Sequence, residues 1–198
     1  MTSFLYSTKT AKKEYYPIPD TLNLQDVLAI LRDHSILSNV FWPRSAREIP
    51  EEKRTGPSTT EFSIGSSAAR GRATMTTKAD GIVYEEEMPL GLKMTVVYRV
   101  TDCPPGTWSK DSDASSDALL SLSESRLCLE EERSVAAPRP LSMLVNLKDG
   151  PIVKTQNLVR VLNEFGRNGK DLVSALASLQ VSTADHSDTD ELEKPKAD

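Results

Sequence analysis

The sequence is poor in the residues on which most metal, disulfide and histidine chemistry depends. Its 198 residues include two cysteines, Cys103 and Cys128, and two histidines. The cysteines lack CxxC spacing, so the pattern predicts neither a zinc site nor a disulfide framework, and we expect two reduced thiols. There is no HExxH or Walker sequence, and the stretch 65–71 lacks the lysine and spacing of a phosphate-binding loop. We therefore expect no metal and no cofactor.

Positive charge and long apolar runs are also scarce. Lysine and arginine total 24 against 29 acidic residues, which gives a net charge of −5. That balance argues against nucleic acid and anionic membrane surfaces as partners. No run approaches the roughly 18 apolar residues that span a bilayer, and the first residues contain no apolar signal-peptide core. We predict a cytoplasmic protein without a membrane span.

The length of 198 residues, 38% of them hydrophobic, fits one domain with a core of its own. We predict a single ligand-binding domain over residues 1–180. Two polar segments cannot bury enough apolar surface to offset their ordering entropy. The Ser/Asp-rich segment 104–125 is predicted to be a mobile insertion, and residues 181–198 are predicted to be a disordered acidic tail.

The apolar residues that remain recur with clear periods. Leu24, Val27, Leu28 and Leu31 have helical spacing and follow the capping residue Asn23, which predicts a helix over 23–34. Residues 35–42 add a second short helix. Strands are predicted at 3–16, 59–64, 72–77, 81–88, 92–101 and 126–136, and a loop at 44–57.

The C-terminal third is predicted to be helical from Pro140 onward. Gly150-Pro151 either breaks this helix or starts a new one, with proline at its first position. The apolar stripe that follows consists of Ile152, Val153, Gln156, Val159, Leu162 and Phe165. After the stop signal at 166–169, residues 172–179 continue as a last helix.

This order of elements resembles the helix-grip fold of the START-like superfamily (SRPBCC, birch-pollen-allergen type). The segments Leu-Arg-Asp-His34, Leu127-Cys-Leu-Glu-Glu-Glu-Arg133 and Leu141-Ser-Met-Leu-Val145 are similar to an uncharacterised fungal branch of it. The resemblance implies an α+β fold in which a curved antiparallel sheet carries short N-terminal helices and a C-terminal helical region over an apolar cavity. The Gly150-Pro151 break and the insertion depart from that branch, where the helix is unbroken.

Three charged side chains continue the apolar faces of predicted strands. Glu86 shares a face with Ile82 and Tyr84, and Glu131 and Arg133 continue the face that begins at Leu127 and Leu129. Burial raises the pKa of an inward carboxyl towards that of a useful base, so these residues are candidate catalytic groups. The alternative is a cross-strand charge pair on the solvated face, because the triplets 85–87 and 130–132 place acids on both faces.

His34 is a fourth catalytic candidate, because the other histidine lies in the tail. The alternative is a histidine at a helix C-terminus, stabilised by the helix dipole. Arg44 and Arg47 are candidates for a carboxylate clamp, or are simply solvated loop charges.

The predicted cavity lies between one sheet face and the C-terminal helix. Ligand-binding residues are expected to be Trp42, Tyr84, Met94, Val96, Tyr98, Val159 and Leu162. The aromatic members fit a packed core equally well.

The resemblance implies a hydrophobic small-molecule ligand, since similar proteins include cyclases, dehydratases and passive carriers. Our first hypothesis is an accessory enzyme of fungal natural-product biosynthesis. It would bind a linear polyketide-like chain, such as a polyketide synthase product, and promote cyclisation or lactonisation by acid–base catalysis. A homodimer is compatible with this hypothesis. The alternatives are a non-catalytic carrier of a lipid or hydrophobic metabolite, and a protein-interaction module that uses the insertion and tail.

Overall fold

An open, curved antiparallel sheet of eight strands forms the scaffold. The computed structural model describes residues 6–43, 51–64, 71–105, 126–145, 147 and 150–181. The strands are β1 (Tyr6–Thr10), β2 (Glu14–Pro17), β3 (Glu51–Arg54), β4 (Thr59–Ile64), β5 (Gly71–Thr77), β6 (Gly81–Met88), β7 (Leu92–Asp102) and β8 (Leu127–Pro138). They run in the order β1-β8-β7-β6-β5-β4-β3, and β2 also pairs with β8.

Five α-helices accompany the sheet in the described part of the chain. They are α1 (Leu24–Arg32), α2 (His34–Phe41), α3 (Arg139–Ser142), α4 (Val153–Arg167) and α5 (Leu172–Val181). The predicted α+β class is confirmed, and so is the order of helices and strands. No helix among the described residues is both long and apolar enough to cross a membrane.

Two capping residues set the boundary between α1 and α2. Asn23 accepts hydrogen bonds from the backbone N–H groups of Gln25 and Asp26 at the start of α1. Asp33 does the same for Ser35 and Ile36 at the start of α2. The predicted helix over 23–34 therefore ends at Arg32, and His34 begins the next helix. The alternative interpretation of His34 as a helix C-terminal residue is wrong.

The core lies between one face of the sheet and the helices α1, α2, α4 and α5. The largest fully buried side chains are contributed by both layers: Tyr84, Tyr98, Phe62, Met75, Ile82, Leu129 and Val96 from strands, and Leu31, Leu37, Leu158, Val27 and Val40 from helices. The opposite face of β7 and β8 carries ion pairs. Arg99 Nη1 lies 2.9 Å from Glu130 Oε1 and 3.0 Å from Glu132 Oε2. The core face is thus mainly apolar and the outer face carries these ion pairs, with the period of two expected of strands; Glu131 and Arg133 are charged exceptions on the core face.

Two predicted segments of the sheet differ from the structure. The segment 51–54 was predicted as part of a loop but forms the edge strand β3, which pairs with β4. All four of its side chains are exposed, so no apolar alternation marks it. The single strand predicted over 3–16 is two strands, both paired with β8. The other strands agree with prediction to within two residues.

The prediction of two reduced thiols is wrong. Cys103 and Cys128 form a disulfide, with their Cα atoms 5.1 Å apart. Antiparallel pairing of β7 with β8 sets Thr101 opposite Cys128, which brings Cys103 within reach although 25 residues separate the cysteines. The link stands at the base of the predicted insertion. Residues 106–125 and 182–198 lie outside the described part, so the mobile insertion and disordered tail stay predictions.

A glycine in α4 lets the chain leading into α1 cross close to that helix. A Cβ atom at Gly166 would stand 2.8 Å from Pro19 Cβ and 2.8 Å from Thr21 Oγ1. The Thr21 hydroxyl donates to the Gly166 carbonyl at 3.0 Å. This crossing holds α4 beside β2, and a surface groove lies between them.

Candidate functional site

Both carboxylates predicted to face inward do so. Glu131 on β8 is 2% exposed and its neighbour Arg133 is 6% exposed. Glu86 on β6 is on the same sheet face and is partly accessible, with 21% of its side chain exposed. For Glu131 and Arg133 the alternative of a solvated charge pair is wrong, because that face is occupied by Glu130 and Glu132.

A cluster of polar groups surrounds Glu131. Arg133 Nη1 is 3.8 Å from Glu131 Oε1, and the Tyr16 hydroxyl is 3.3 Å from Glu131 Oε2. Tyr16 also donates a short hydrogen bond to Glu14, which stands opposite Glu131 in the register of β2 and β8. Burial raises the pKa of Glu131, although a hydrogen bond with Thr155 and the charge of Arg133 oppose the rise. The site holds a carboxyl suited to proton transfer.

The tyrosines of this region are held in their protonated form. Burial is the main cause that raises the pKa of Tyr16, and the hydrogen bond to Glu14 is the next largest. Burial also raises the pKa of Tyr98, whose hydroxyl is 2.8 Å from Thr155 Oγ1. Such hydroxyls are hydrogen-bond donors rather than bases.

Glu86 belongs to a second cluster on the same sheet face. The Tyr84 hydroxyl donates to Glu86 Oε2 at 2.7 Å, and Lys154 Nζ lies 3.0 Å from the same oxygen. The ammonium also lies 5.4 Å from the ring centre of Tyr84 and 5.9 Å from that of Trp42. Glu86, Tyr84 and Trp42, all predicted site residues, therefore meet around a lysine that was not predicted.

The first turn of α4 joins the two clusters. Lys154 binds Glu86, and the next residue, Thr155, binds Tyr98 and contacts Glu131. Sequence reasoning missed both residues, because the apolar residues of this helix suggested a face through Val153 and Val159. The buried face instead consists of Thr155, Leu158, Val161, Leu162 and Gly166. Spacing of Leu158 and Leu162 four residues apart was the available signal.

Three residues of the predicted cavity lining are fully buried in the core. Val96, Tyr84 and Tyr98 have no exposed surface, which leaves no water-sized space beside them. Phe41 packs on Tyr84 and Tyr98, with ring centres 5.2 and 5.9 Å apart. Leu162 is also buried, at 2% exposure, and the ligand-binding role of Val96, Tyr98 and Leu162 stays a prediction. Met94 is half-buried at the edge of the core.

Val159, also predicted to line the cavity, faces a groove on the other side of α4. The groove has a volume of about 340 Å³ and is lined by Tyr16, Pro151, Gln156, Val159, Arg160 and Asn163, among others. Tyr16 belongs both to this groove and to the Glu131 cluster. It is the group through which a molecule in the groove can reach the buried carboxyl.

His34 lies apart from both clusters. Its Nδ1 is 2.8 Å from Thr60 Oγ1, and its Nε2 is 3.0 Å from Thr77 Oγ1. These partners lie on β4 and β5, towards the sheet edge opposite β8, where a polar pocket of about 570 Å³ includes His34, Arg32, Glu52 and Arg54. The structure does not bring His34 together with Glu86, Glu131 or Arg133. Arg44 and Arg47 lie outside the described residues.

Lowering the pH is expected to destabilise the protein through His34. Burial lowers the pKa of His34 from its ordinary value of 6.5, so the unfolded state binds this proton more readily. The stabilisation is present above pH 6.5 and is lost as the pH falls through the lowered pKa, at no more than about 1.4 kcal/mol per pH unit. Urea unfolding at pH 7.5, 6.5 and 5.5 measures the loss.

Two variants separate this effect from other titrations. His34→Asn is expected to show a flatter pH dependence than the wild type, whereas His186→Asn in the tail should match the wild type. Equal pH dependence in His34→Asn and the wild type would contradict the assignment to His34.

Comparison with known proteins gives matches at the level of solved structures alone. No protein-family model matches the sequence, and no curated protein matches it. A norcoclaurine synthase point mutant from Thalictrum flavum has a TM-score of 0.42 at 8% identity, over 90% of this chain and 98% of that one. The Zhui aromatase/cyclase from Streptomyces sp. R1128 has a TM-score of 0.36 at 16% identity, over 90% and 96%. Ara h 8.0201 has a TM-score of 0.37 at 9% identity, over 89% and 99%.

At TM-scores of 0.36–0.42, these similarities carry no argument about activity. Within the described residues, no three His, Cys, Asp or Glu side chains come together as a metal site.

Proposed function

We propose that this chain is an acid–base enzyme acting on a small, partly oxygenated organic molecule bound in the groove between β2 and α4. One observation carries the proposal: Tyr16 lines the groove and is hydrogen-bonded to the half-buried carboxyl of Glu14 and to the buried carboxyl of Glu131. The substrate class, a linear polyketide-like chain of fungal natural-product biosynthesis, is taken from the sequence resemblance. The reaction proposed is cyclisation or lactonisation.

The chemistry follows from the state of each group. Tyr16 stays protonated because burial raises its pKa, so it can donate to a substrate carbonyl oxygen where negative charge develops. Once its hydroxyl turns to the substrate, a carboxylate oxygen of Glu131 or Glu14 is released to accept the proton of an enol or hydroxyl. In cyclisation onto a ketone, the same proton is returned to the alkoxide after ring closure. In lactonisation, the tetrahedral alkoxide collapses, the bond from the carbonyl carbon to the leaving group breaks, and the proton is delivered to the departing thiolate or alkoxide. This acid–base cycle requires no cofactor.

A non-catalytic carrier is the second candidate. Glu131 is 2% exposed and Tyr98 has no exposed surface, which favours binding without turnover. A carrier needs the groove and tolerates loss of either carboxylate.

The test is product formation from a linear triketide thioester of N-acetylcysteamine, with affinity measured in parallel by calorimetry. Glu131→Gln and Tyr16→Phe are expected to slow cyclised-product formation on the order of 10²-fold while leaving affinity within about twofold. Glu86→Gln tests whether the inward carboxylate of the second cluster contributes to product formation. Glu132→Gln, on the outer face of the same strand, is the matched control and should behave as the wild type.

Unchanged turnover in both Glu131→Gln and Tyr16→Phe would overturn the catalytic assignment. Binding of the thioester by all variants without product would instead identify a carrier. Circular dichroism of each variant ensures that loss of product is not loss of fold.

A further inference from the structure

The cluster around Lys154 has the parts of a receptor for an organic cation. Two aromatic faces, Trp42 and Tyr84, lie 5.9 and 5.4 Å from the ammonium, within the range of a cation–π interaction. Glu86 supplies the opposite charge at 3.0 Å. Aromatic faces combined with a carboxylate are the features that recognise alkylammonium ligands. We propose that Trp42, Tyr84 and Glu86 form a binding site for an organic ammonium ion, which the side chain of Lys154 occupies in this structure.

The occupant can leave without unfolding the helix. Lys154 is the second residue of α4 and follows Val153, which is 68% exposed. Its own side chain retains 18% exposure. Rotation of the four-carbon stem therefore takes the ammonium to solvent while the backbone of α4 stays in place.

The receptor side remains ordered when Lys154 leaves. The Tyr84 hydroxyl donates to Glu86 Oε2 at 2.7 Å and so orients the carboxylate independently of the lysine. The ring of Trp42 packs on Phe62 at 5.4 Å and on Phe41 at 6.3 Å. Trp42, Tyr84 and Glu86 are therefore positioned by contacts that do not involve Lys154. A ligand cation has only to take the place of the lysine ammonium.

These contacts also indicate the class of ligand. Ring faces attract cations without needing hydrogen-bond donors, so a quaternary ammonium fits as well as a primary one. Phe41 and Phe62 are buried behind Trp42 and support its ring, so the surfaces that meet the ligand are the rings of Trp42 and Tyr84. The ligand predicted is an alkylammonium compound, a site and ligand independent of the carbonyl chemistry proposed for the groove.

Removing the lysine charge should increase the affinity for an added cation. A tethered competitor acts at an effective concentration in the millimolar range. Lys154→Ala is therefore expected to bind choline at least about tenfold more tightly than the wild type. In a Trp108→Phe background Trp42 is the only tryptophan, so its fluorescence reports binding at constant ionic strength.

Three controls define the site. Glu86→Gln added to Lys154→Ala should weaken choline binding at least about tenfold, and 3,3-dimethylbutan-1-ol, the uncharged isostere of choline, should bind at least about tenfold more weakly. Lys93→Ala removes an ion pair of 2.9 Å with Glu85 on the outer face and should match the wild type. Lys154→Gln, which keeps the stem and loses the charge, replaces Lys154→Ala if the alanine variant does not fold.

Equal choline affinity in the wild type and both Lys154 variants would overturn the proposal. Equal binding of choline and its uncharged isostere would overturn it too. Neither result depends on turnover of a polyketide-like substrate, so this test and that of the proposed function can fail separately.

Discussion

Arg133→Ala is expected to lower the free energy of unfolding by about 3–5 kcal/mol. Arg133 and Glu131 are 3.8 Å apart with side-chain exposures of 7% and 2%. Removing the guanidinium leaves the Glu131 carboxylate buried without its cation, in a site where hydration cannot compensate. Urea unfolding at pH 7.5 gives the loss directly.

An arginine on the outer face of the sheet, Arg99, serves as the control for Arg133. Arg99 also contacts two glutamates of β8, but its side chain is 34% exposed, so Arg99→Ala should cost about 1 kcal/mol or less. Adding Glu131→Gln to Arg133→Ala should recover part of the loss because the isolated charge is removed. A cost for Arg133→Ala no larger than that for Arg99→Ala would contradict the buried-pair interpretation.

Removing the disulfide with Cys103→Ala and Cys128→Ala together is expected to cost about 3.5 kcal/mol. The link closes a loop whose ends are 25 residues apart, and a loop of this length restricts the unfolded chain by roughly that free energy. Urea unfolding of the wild type with and without a phosphine reductant should show a similar difference. The double variant should be insensitive to the reductant.

The outcome that would contradict this prediction is a wild-type midpoint that does not move on complete reduction, with thiol release followed by mass spectrometry. Cys128 has no exposed surface, so reduction should require a denaturant or long incubation. A single Cys103→Ala variant tests whether the remaining thiol alone changes stability.

The sequence predicted strand faces better than it predicted contacts between elements. Successive side chains in a strand point to opposite faces, so residues two apart share a face. This rule correctly predicted that Glu86 shares a face with Tyr84, and that Glu131 and Arg133 share a face with Leu129. The capping residue Asn23 likewise located the start of α1. These signals are local and need no knowledge of the fold.

The features missed depend on which elements meet. The cysteines are far apart in the chain and are joined only by the pairing of β7 with β8. The roles of Lys154 and Thr155 depend on which face of α4 is turned towards the core. The positions of Val153 and Val159 in the sequence suggested a different face. The depth at which a helix packs on a sheet is likewise beyond sequence reasoning, since it is set by complementary side chains along the whole length of the helix.

Lys154 and Thr155 are consecutive, so a single helical turn contacts both carboxylate clusters. If an ammonium ligand displaces Lys154 and thereby changes the affinity of Glu131 for a proton, protonation of Glu131 must change the affinity for that ligand by the same factor. Measuring choline binding as a function of pH in Glu131→Gln and in the wild type would give this linkage free energy. Because the backbone of α4 stays in place when Lys154 turns outward, this linkage would be carried by the change of charge beside the helix and not by movement of the chain.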